Sequence, residues 1–302
     1  VLDLPIQDTD LFNAFRPRLK GLAYKMLGSI ADAEDVLQDA FIRWLQADRS
    51  LVREPEAYLR QVVTRLCLDE LKSARARREA YVGSWLPEPL LQEEPSEDIT
   101  LPLLLVLERL SPSERAAFLL HDVFGVAFDE IALTIGRDAA ACRQMARRAR
   151  LRIRAERPRL PPQDTRGQEI AAAFFTASRT GDIDGLRALL ARDVMIQVDG
   201  GGKVAAPPHP IMGIEAALKL MAALARLFSA QMSQLLRYAS VNGLPGFVTL
   251  ERGCELQTTA LDVRGDRIAA VYVCRNPEKL GHLVIDRTAP NQVRPASKGT
   301  CQ

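Results

Sequence analysis

The sequence predicts a multidomain chain: two all-α parts followed by an α+β part. Three observations predict it. Apolar residues recur at helical spacing up to about residue 157. Proline-bearing breaks at 83–98 and at Pro158, Pro161 and Pro162 divide the chain. After residue 165 the pattern changes to helices and then to alternating strands separated by glycine turns.

In the first part, residues 10–28 and 31–47 read as helices, and a third starts after Pro55 and runs to about Arg78. A proline suits a helix start, where its missing N–H is not needed. The helix at 31–47 carries an apolar stripe of Ala33, Val36, Leu37, Ala40, Phe41 and Trp44. Its other face carries Asp32, Asp35, Gln38 and Asp39. The following helix turns Leu59, Val62, Val63 and Leu66 inward and sets Arg65, Lys72, Arg75, Arg77 and Arg78 outward. An acidic helix is thus followed by a basic one. The break at 83–98 holds Trp85-Leu86-Pro87-Glu88-Pro89, with Glu93, Glu94 and Pro95 behind it. A tryptophan beside prolines in an acidic segment predicts a stiff docking peptide with one large apolar anchor.

Helical pattern resumes near Ile99. Ser111-Pro112-Ser113-Glu114 has the form of a capping box with proline at the first helical position. The sharpest signal lies at 127–154. One helix begins at Ala127 and ends at Gly136; Asp138 can cap a second, which runs through Ala139–Arg154. Two helices around a short glycine-bearing turn make a helix-turn-helix. The second helix buries Cys142, Met145, Ala146, Ala149 and Ile153 and presents Arg143, Arg147, Arg150 and Arg154 on another stripe. From Arg137 to Arg159 there are nine arginines against Asp138 and Glu156. So basic a helix suits a polyanion, because arginine forks onto phosphates and onto guanine edges in the major groove. A merely solvated arginine face is the bland alternative; the turn glycine, the cap and the stripe together favour DNA binding.

In the third part, helices at about 167–180, 182–191 and 213–229 surround a short strand at 194–198. Strands follow at 233–241, 245–251, 255–264 and 267–275, with hairpin turns at Asn242-Gly243 and Gly265-Asp266. This is the order of an α+β domain with an antiparallel meander. Residues 286–302 are polar and aperiodic, and a disordered tail is expected there.

Composition narrows the function classes. Of 302 residues, 47% are hydrophobic and 26% charged, an ordinary globular balance, and the net charge of +2 is uninformative without its distribution. Five scattered cysteines without a CxxC pair argue against a disulfide framework or a cysteine zinc site, and three distant histidines against a histidine metal cluster. The acidic start VLDLPIQDTD has no apolar leader, and no run reaches the roughly 20 apolar residues of a membrane span. A reducing cytoplasm and no membrane association are the expectation.

Taken together, these segments resemble the extracytoplasmic-function (ECF) sigma factors of bacterial RNA polymerase. Asp32 to Phe41 is similar to the polymerase-binding helix of sigma region 2, Glu56–Leu71 to the helix that reads the −10 promoter element, and residues 111–154 to region 4, whose helix-turn-helix reads the −35 element. The resemblance implies that Asp32, Asp35, Gln38 and Asp39 contact the β′ clamp helices of core polymerase and that region 4 meets the β flap. It implies −10 contacts by Tyr58, Arg65, Asp69, Lys72 and Arg75, and −35 contacts by Arg137, Arg143, Gln144, Arg147, Arg148 and Arg150. Tyr58 stands where this group often has tryptophan, and Leu66 where asparagine is common. The third part resembles a SnoaL-like domain, a cone-shaped curved sheet wrapped by helices. The SigJ-like subgroup carries such a domain with three motifs, met here as Trp85-Leu86-Pro87-Glu88-Pro89, Asp199-Gly200-Gly201-Gly202-Lys203 and Asn276-Pro277-Glu278-Lys279, with Glu278 in place of the commoner aspartate. These are expected to form an interdomain regulatory contact that controls the sigma core in cis.

The implied layout is region 2 at 1–82, a linker at 83–98, region 4 at 99–157 and the SnoaL-like domain at 165–285. No cofactor, metal or catalytic role is implied; core polymerase and promoter DNA are the expected partners. A small-molecule ligand in the C-terminal cone is a further expectation. Two other classes compete. A ligand-sensing helix-turn-helix regulator would not need the acidic helix at 32–44. An enzyme built on the cone would need an acid–base group, for which Asp262 and His209 are the candidates.

Overall fold

A computed structural model of the chain describes residues 6–79, 81–92, 100–156, 165–230, 233–252, 255–285 and 293–295. It divides into two compact units: Val1–Ala80 with Leu103–Pro158, and Tyr81–Pro102 with Arg159–Gln302.

In the first unit, α1 (Ile6–Leu27), α2 (Ile30–Gln46) and α3 (Pro55–Glu79) pack as a bundle. Ser29 caps α2 by accepting from Asp32 N at 3.1 Å. Leu22, Met26, Leu37, Trp44 and Leu59 fill the core, as the apolar stripes require. Leu66, where the resembled group often has asparagine, is one of the buried residues.

After α4 (Leu101–Glu108), α5 (Pro112–Phe118) opens on the expected capping box: Ser111 Oγ accepts from Glu114 N and Glu114 Oε2 accepts from Ser111 N. It continues into one π-helical turn, Leu119–Val123. The helix-turn-helix follows as α6 (Phe128–Ile135) and α7 (Ala139–Glu156). Gly136 ends α6 in the left-handed region at φ 73, where a side chain would be strained. Asp138 caps α7, accepting from Ala141 N at 2.7 Å.

In the second unit, α8 (Thr165–Thr180), α9 (Ile183–Leu189) and α10 (Ile214–Ala230) pack on a seven-stranded sheet. Its strands are β1 (Leu91–Gln92), β2 (Leu190–Asp199), β3 (Ile211–Met212), β4 (Ser233–Val241), β5 (Leu244–Glu251), β6 (Glu255–Arg264) and β7 (Arg267–Cys274), in the order β1-β4-β5-β6-β7-β2-β3. The meander β4 to β7 is antiparallel, and Asn242-Gly243 turns its first hairpin with φ 48 and 73, as a two-residue turn needs. Register shifts fall in β2, in β4 and in the β6–β7 pair, where irregularities of this kind bend a sheet. The core between them includes Phe174, Leu186, Ile196, Leu218, Phe247 and Val271.

Several elements were not expected from the sequence. β2 is longer than 194–198 and pairs in parallel with β7. The linker contributes β1, which extends the sheet at β4. The short helix α11 (Pro277–Leu280) follows β7, and β8 (Leu283–Ile285) pairs with β9 (Val293–Pro295). The remainder of the expected tail at 286–302 lies outside the described residues.

Candidate nucleic-acid interface and linker clasp

α2 leaves Asp35, Gln38 and Asp39 exposed on one face, with Asp32 half-buried in its first turn. Burial of the opposite stripe forces this division. The four polar residues expected together are therefore on one side of one helix.

α3 presents Arg65, Asp69 and Lys72 to solvent. Asp69 pairs with Lys72 at 2.8 Å, one helical turn on. The side chain of Arg75 lies outside the described residues. Tyr58 is half-buried with its ring 6.0 Å from that of Trp44. Arg65 is occupied: it donates to Leu133 O at 2.8 Å and to Thr134 O at 3.3 Å. These are last-turn carbonyls of α6, the partially negative end of a helix. Arg60 adds an ion pair to Glu130 of α6. In this structure the stretch of α3 from Arg60 to Arg65 thus rests on the first helix of the helix-turn-helix.

The residues expected at the −35 element, Arg137 and those on α7, fall into two groups. Arg137, Arg143, Gln144 and Arg147 are exposed. Arg148 donates to Glu114 Oε1 at 2.6 Å, and Arg150 to Asp122 Oδ1 at 2.8 Å. Burial tends to raise the Glu114 pKa, but the bonds from Arg148 and Ser111 outweigh it and leave it below the ordinary value. Arg148 and Arg150 therefore also fasten α7 to the helices beneath it. One residue that sequence reasoning missed is Arg115, buried in the core of this unit. It donates to Met26 O at the end of α1 and to Glu108 Oε1 at 3.0 Å. Its position inside an otherwise apolar helical run was the available signal.

In the second unit, the three motifs at 85–89, 199–203 and 276–279, joined by Tyr81 ahead of the first, converge around Asp199, which is 0% exposed. Its carboxylate accepts from Tyr81 Oη at 2.5 Å, Leu86 N at 2.8 Å, Gly201 N at 3.0 Å and Lys279 Nζ at 2.8 Å. Lys279 also donates to Leu86 O, with its ammonium 4.2 Å from the centre of the Trp85 ring and 4.8 Å from that of Tyr81. Burial pulls the Lys279 pKa down from its ordinary value while Asp199 pushes it back up. Burial, with Asp199 alongside, raises the Tyr81 pKa. Asn276 donates to Tyr81 Oη at 2.9 Å.

The glycines permit this convergence. Gly201 sits at φ 61, and a Cβ there would collide with the Asn276 amide. Lys203 and Glu278 are exposed and pair with each other rather than with the linker.

The docking peptide is held differently from expectation. Its deepest side chain is Leu86, 2% exposed, with Pro87, Glu88 and Pro89 also buried. Trp85 is half-buried and covers the Lys279 ammonium instead of serving as the buried anchor. Three holders escaped the sequence reading. Gln197 donates to Trp85 O at 3.0 Å, Asn242 accepts from Leu90 N at 2.6 Å, and His282 bonds Pro89 O at 2.9 Å. From sequence alone Asn242 is a turn residue. Neither enzyme candidate lines the cavity of this unit: Asp262 pairs with Arg264 and His209 is exposed.

Comparison with known proteins places this geometry. Residues 11–77 match Sigma-70 region 2 and residues 100–153 match Sigma-70 region 4. The chain is 35% identical to the ECF RNA polymerase sigma factor SigJ of Mycobacterium tuberculosis, over 89% of this chain and 91% of that protein. It is 36% identical to the probable ECF sigma factor SigI of the same species, over 62% of this chain and 68% of the relative. The crystal structure of Mycobacterium tuberculosis SigJ superimposes with a TM-score of 0.72 at 33% identity, covering 90% of this chain and 98% of that one. With two sigma regions in order and a near full-length relative, the chain belongs to the ECF RNA polymerase sigma factors.

Proposed function

We propose that this sigma factor directs core polymerase to its promoters through the α2, α3 and α7 surfaces, and that its α+β unit regulates this in cis by holding the linker. Asp32, Asp35, Gln38 and Asp39 are the residues for the β′ clamp helices, and region 4 for the β flap. Arg137, Arg143, Gln144 and Arg147 face the −35 duplex, with Arg148 and Arg150 bracing the same helix from behind. Tyr58, Arg65, Asp69, Lys72 and Arg75 serve the −10 element. Such a protein needs no catalytic group: it supplies sequence choice and captures unstacked bases on aromatic and basic side chains. Its place of work is wherever the polymerase is, the cytoplasm. The functional modules are 1–82, 99–157 and 165–285, with 83–98 as the regulated connection.

The observation that carries the regulatory reading is Asp199. Four donors from three separate segments meet on one buried carboxylate, one of them, Leu86 N, from the linker and one, Tyr81, from the residue pair just before it. Arg65 carries a second point. A −10 contact by Arg65 requires α3 to leave the α6 carbonyls that it now satisfies. Factors that hold or free the linker between regions 2 and 4 would bias that opening.

The residue roles are tested by transcription with core polymerase on a promoter selected by the wild-type protein. Asp35→Ala with Asp39→Ala should weaken core binding without altering promoter choice. Arg143→Ala should leave core binding intact and reduce initiation. Normal initiation by both variants would refute the assignments.

A further inference from the structure

The α+β unit has a partly open cavity of about 140 Å³ on the helix side of its sheet. One wall is apolar, with Phe174, Ile196, Leu220, Phe247 and Val271. The other carries Arg179, Glu251, Gln257 and Arg275. Glu251 is satisfied: its Oε1 accepts from Arg179 at 2.6 Å, Thr249 at 2.8 Å and Ser233 at 3.0 Å. Arg275 is not. Its two terminal nitrogens go to Glu255 Oε2 at 2.6 Å and Ala205 O at 3.0 Å, while its Nε is buried without an acceptor. A buried donor left unmet is costly, and a ligand that supplies an acceptor once the Arg275 side chain turns toward the cavity recovers that cost. With Arg252 also on the lining, three guanidiniums stand against Glu251 and Glu255.

We infer that this cavity binds a small carboxylate on an apolar body, with Arg275 as its anion partner, and that its occupancy is felt by the linker clasp. A cavity of about 150 Å³ holds one benzene ring, so about 140 Å³ takes the apolar body of such an acid, with the carboxylate at the open, arginine-lined side. A benzoate-sized acid places its ring against Phe174 and Phe247 and its carboxylate on the arginine side.

The coupling follows from strand geometry. Successive residues of a strand point to opposite faces. Val198 and Val273 line the cavity, and Asp199 follows Val198 on the other face. Arg275 lines the cavity, and its neighbour Asn276 bonds Tyr81. Arg275 N and Asn276 N both donate to Asp199 O, at 2.8 and 3.1 Å. A ligand that draws on Arg275 therefore acts on the strand ends that hold Tyr81 and Leu86. This second half rests on the linker reading of the preceding subsection; the binding half does not.

The test is titration of the full chain with benzoate, hexanoate and the neutral benzyl alcohol by calorimetry and ligand-observed NMR. Trp85 fluorescence is read in a Trp44→Phe background, since the chain has two tryptophans. One charge-assisted hydrogen bond corresponds to a change of about ten-fold or more in affinity. An acid should bind saturably, at least about ten-fold tighter than the alcohol, and shift Trp85 emission. Arg275→Lys should weaken the acid by about ten-fold, and Leu220→Trp, which fills the cavity from its apolar side, should abolish binding. No saturable binding of either acid at millimolar concentration overturns the inference, as does binding unchanged in Leu220→Trp. Binding that leaves Trp85 unmoved overturns the coupling. None of these readouts uses polymerase or promoter, so their failure leaves the sigma function intact.

Discussion

Removing the carboxylate of Asp199 tests the clasp at its centre. Asp199→Ala takes away the acceptor for Tyr81, Leu86 N and Gly201 N and the counterion of Lys279. The Lys279 ammonium is then left with Leu86 O and two ring faces in a site that is 8% exposed. Breaking a buried pair from one side costs about 3–5 kcal/mol. Each stranded backbone donor adds about 1–3 kcal/mol, although such terms overlap when they share one site. A total near 5 kcal/mol is comparable to the whole stability of a modest domain. Asp199→Ala should therefore threaten the fold of the α+β unit as well as the linker, and Asp199→Asn is the cleaner variant.

Charge is isolated by the cycle of Asp199→Asn, Lys279→Met and their combination. The double variant leaves no unpaired buried charge, so it should recover about 2 kcal/mol relative to the sum of the single losses. Urea unfolding followed by Trp85 emission in the Trp44→Phe background, and by far-ultraviolet circular dichroism, gives the three values. Single losses below about 1 kcal/mol, or additivity within about 0.5 kcal/mol, would refute the reading of Asp199 and Lys279 as a coupled buried pair.

Other expectations concern single contacts. Gly201→Ala puts a Cβ at φ 61 against Asn276; it should cost about 1–3 kcal/mol in thermal denaturation and change Trp85 emission. Arg115→Leu leaves Glu108 and the end of α1 without this buried donor and should destabilise the sigma unit by about 3 kcal/mol or more. The Glu114 carboxyl has its pKa held below the ordinary 4.5, so its contribution exists above that pH and fades as pH falls through the lowered value. Glu114→Gln should cost about 1 kcal/mol at pH 7, with the gap to wild type closing in strongly acidic buffer. In holoenzyme binding to promoter DNA, Arg143→Ala should reduce the log–log salt slope by about 0.9 if it meets a phosphate, whereas Arg148→Ala should act mainly through stability.

The helix-turn-helix could be read from the sequence because its signals are local. Gly136, Asp138 and the alternation of Cys142, Met145, Ala146 and Ala149 with arginines act within a few residues of one another. The capping box at Ser111 and the turn at Asn242-Gly243 were readable for the same reason. The parallel pairing of β2 with β7 joins segments about seventy positions apart in the chain, and no periodicity encodes it. The clasp was visible as three motifs, but not its chemistry. Nothing near Lys279 in sequence indicates that its ammonium lies between Trp85 and Tyr81. Trp85 was expected to be the anchor because of its size. A half-covered indole over an ammonium is a tertiary arrangement, and the smaller Leu86 fills the buried position.

The most direct measurement of the central claim is promoter-specific initiation with core polymerase, comparing the wild-type chain with the folded Asp199→Asn variant. The account predicts that both initiate at the same promoter, that Trp85 emission reports a loosened linker in the variant, and that the initiation rate changes several-fold. Equal initiation by the two proteins despite a loosened linker would contradict regulation through the clasp.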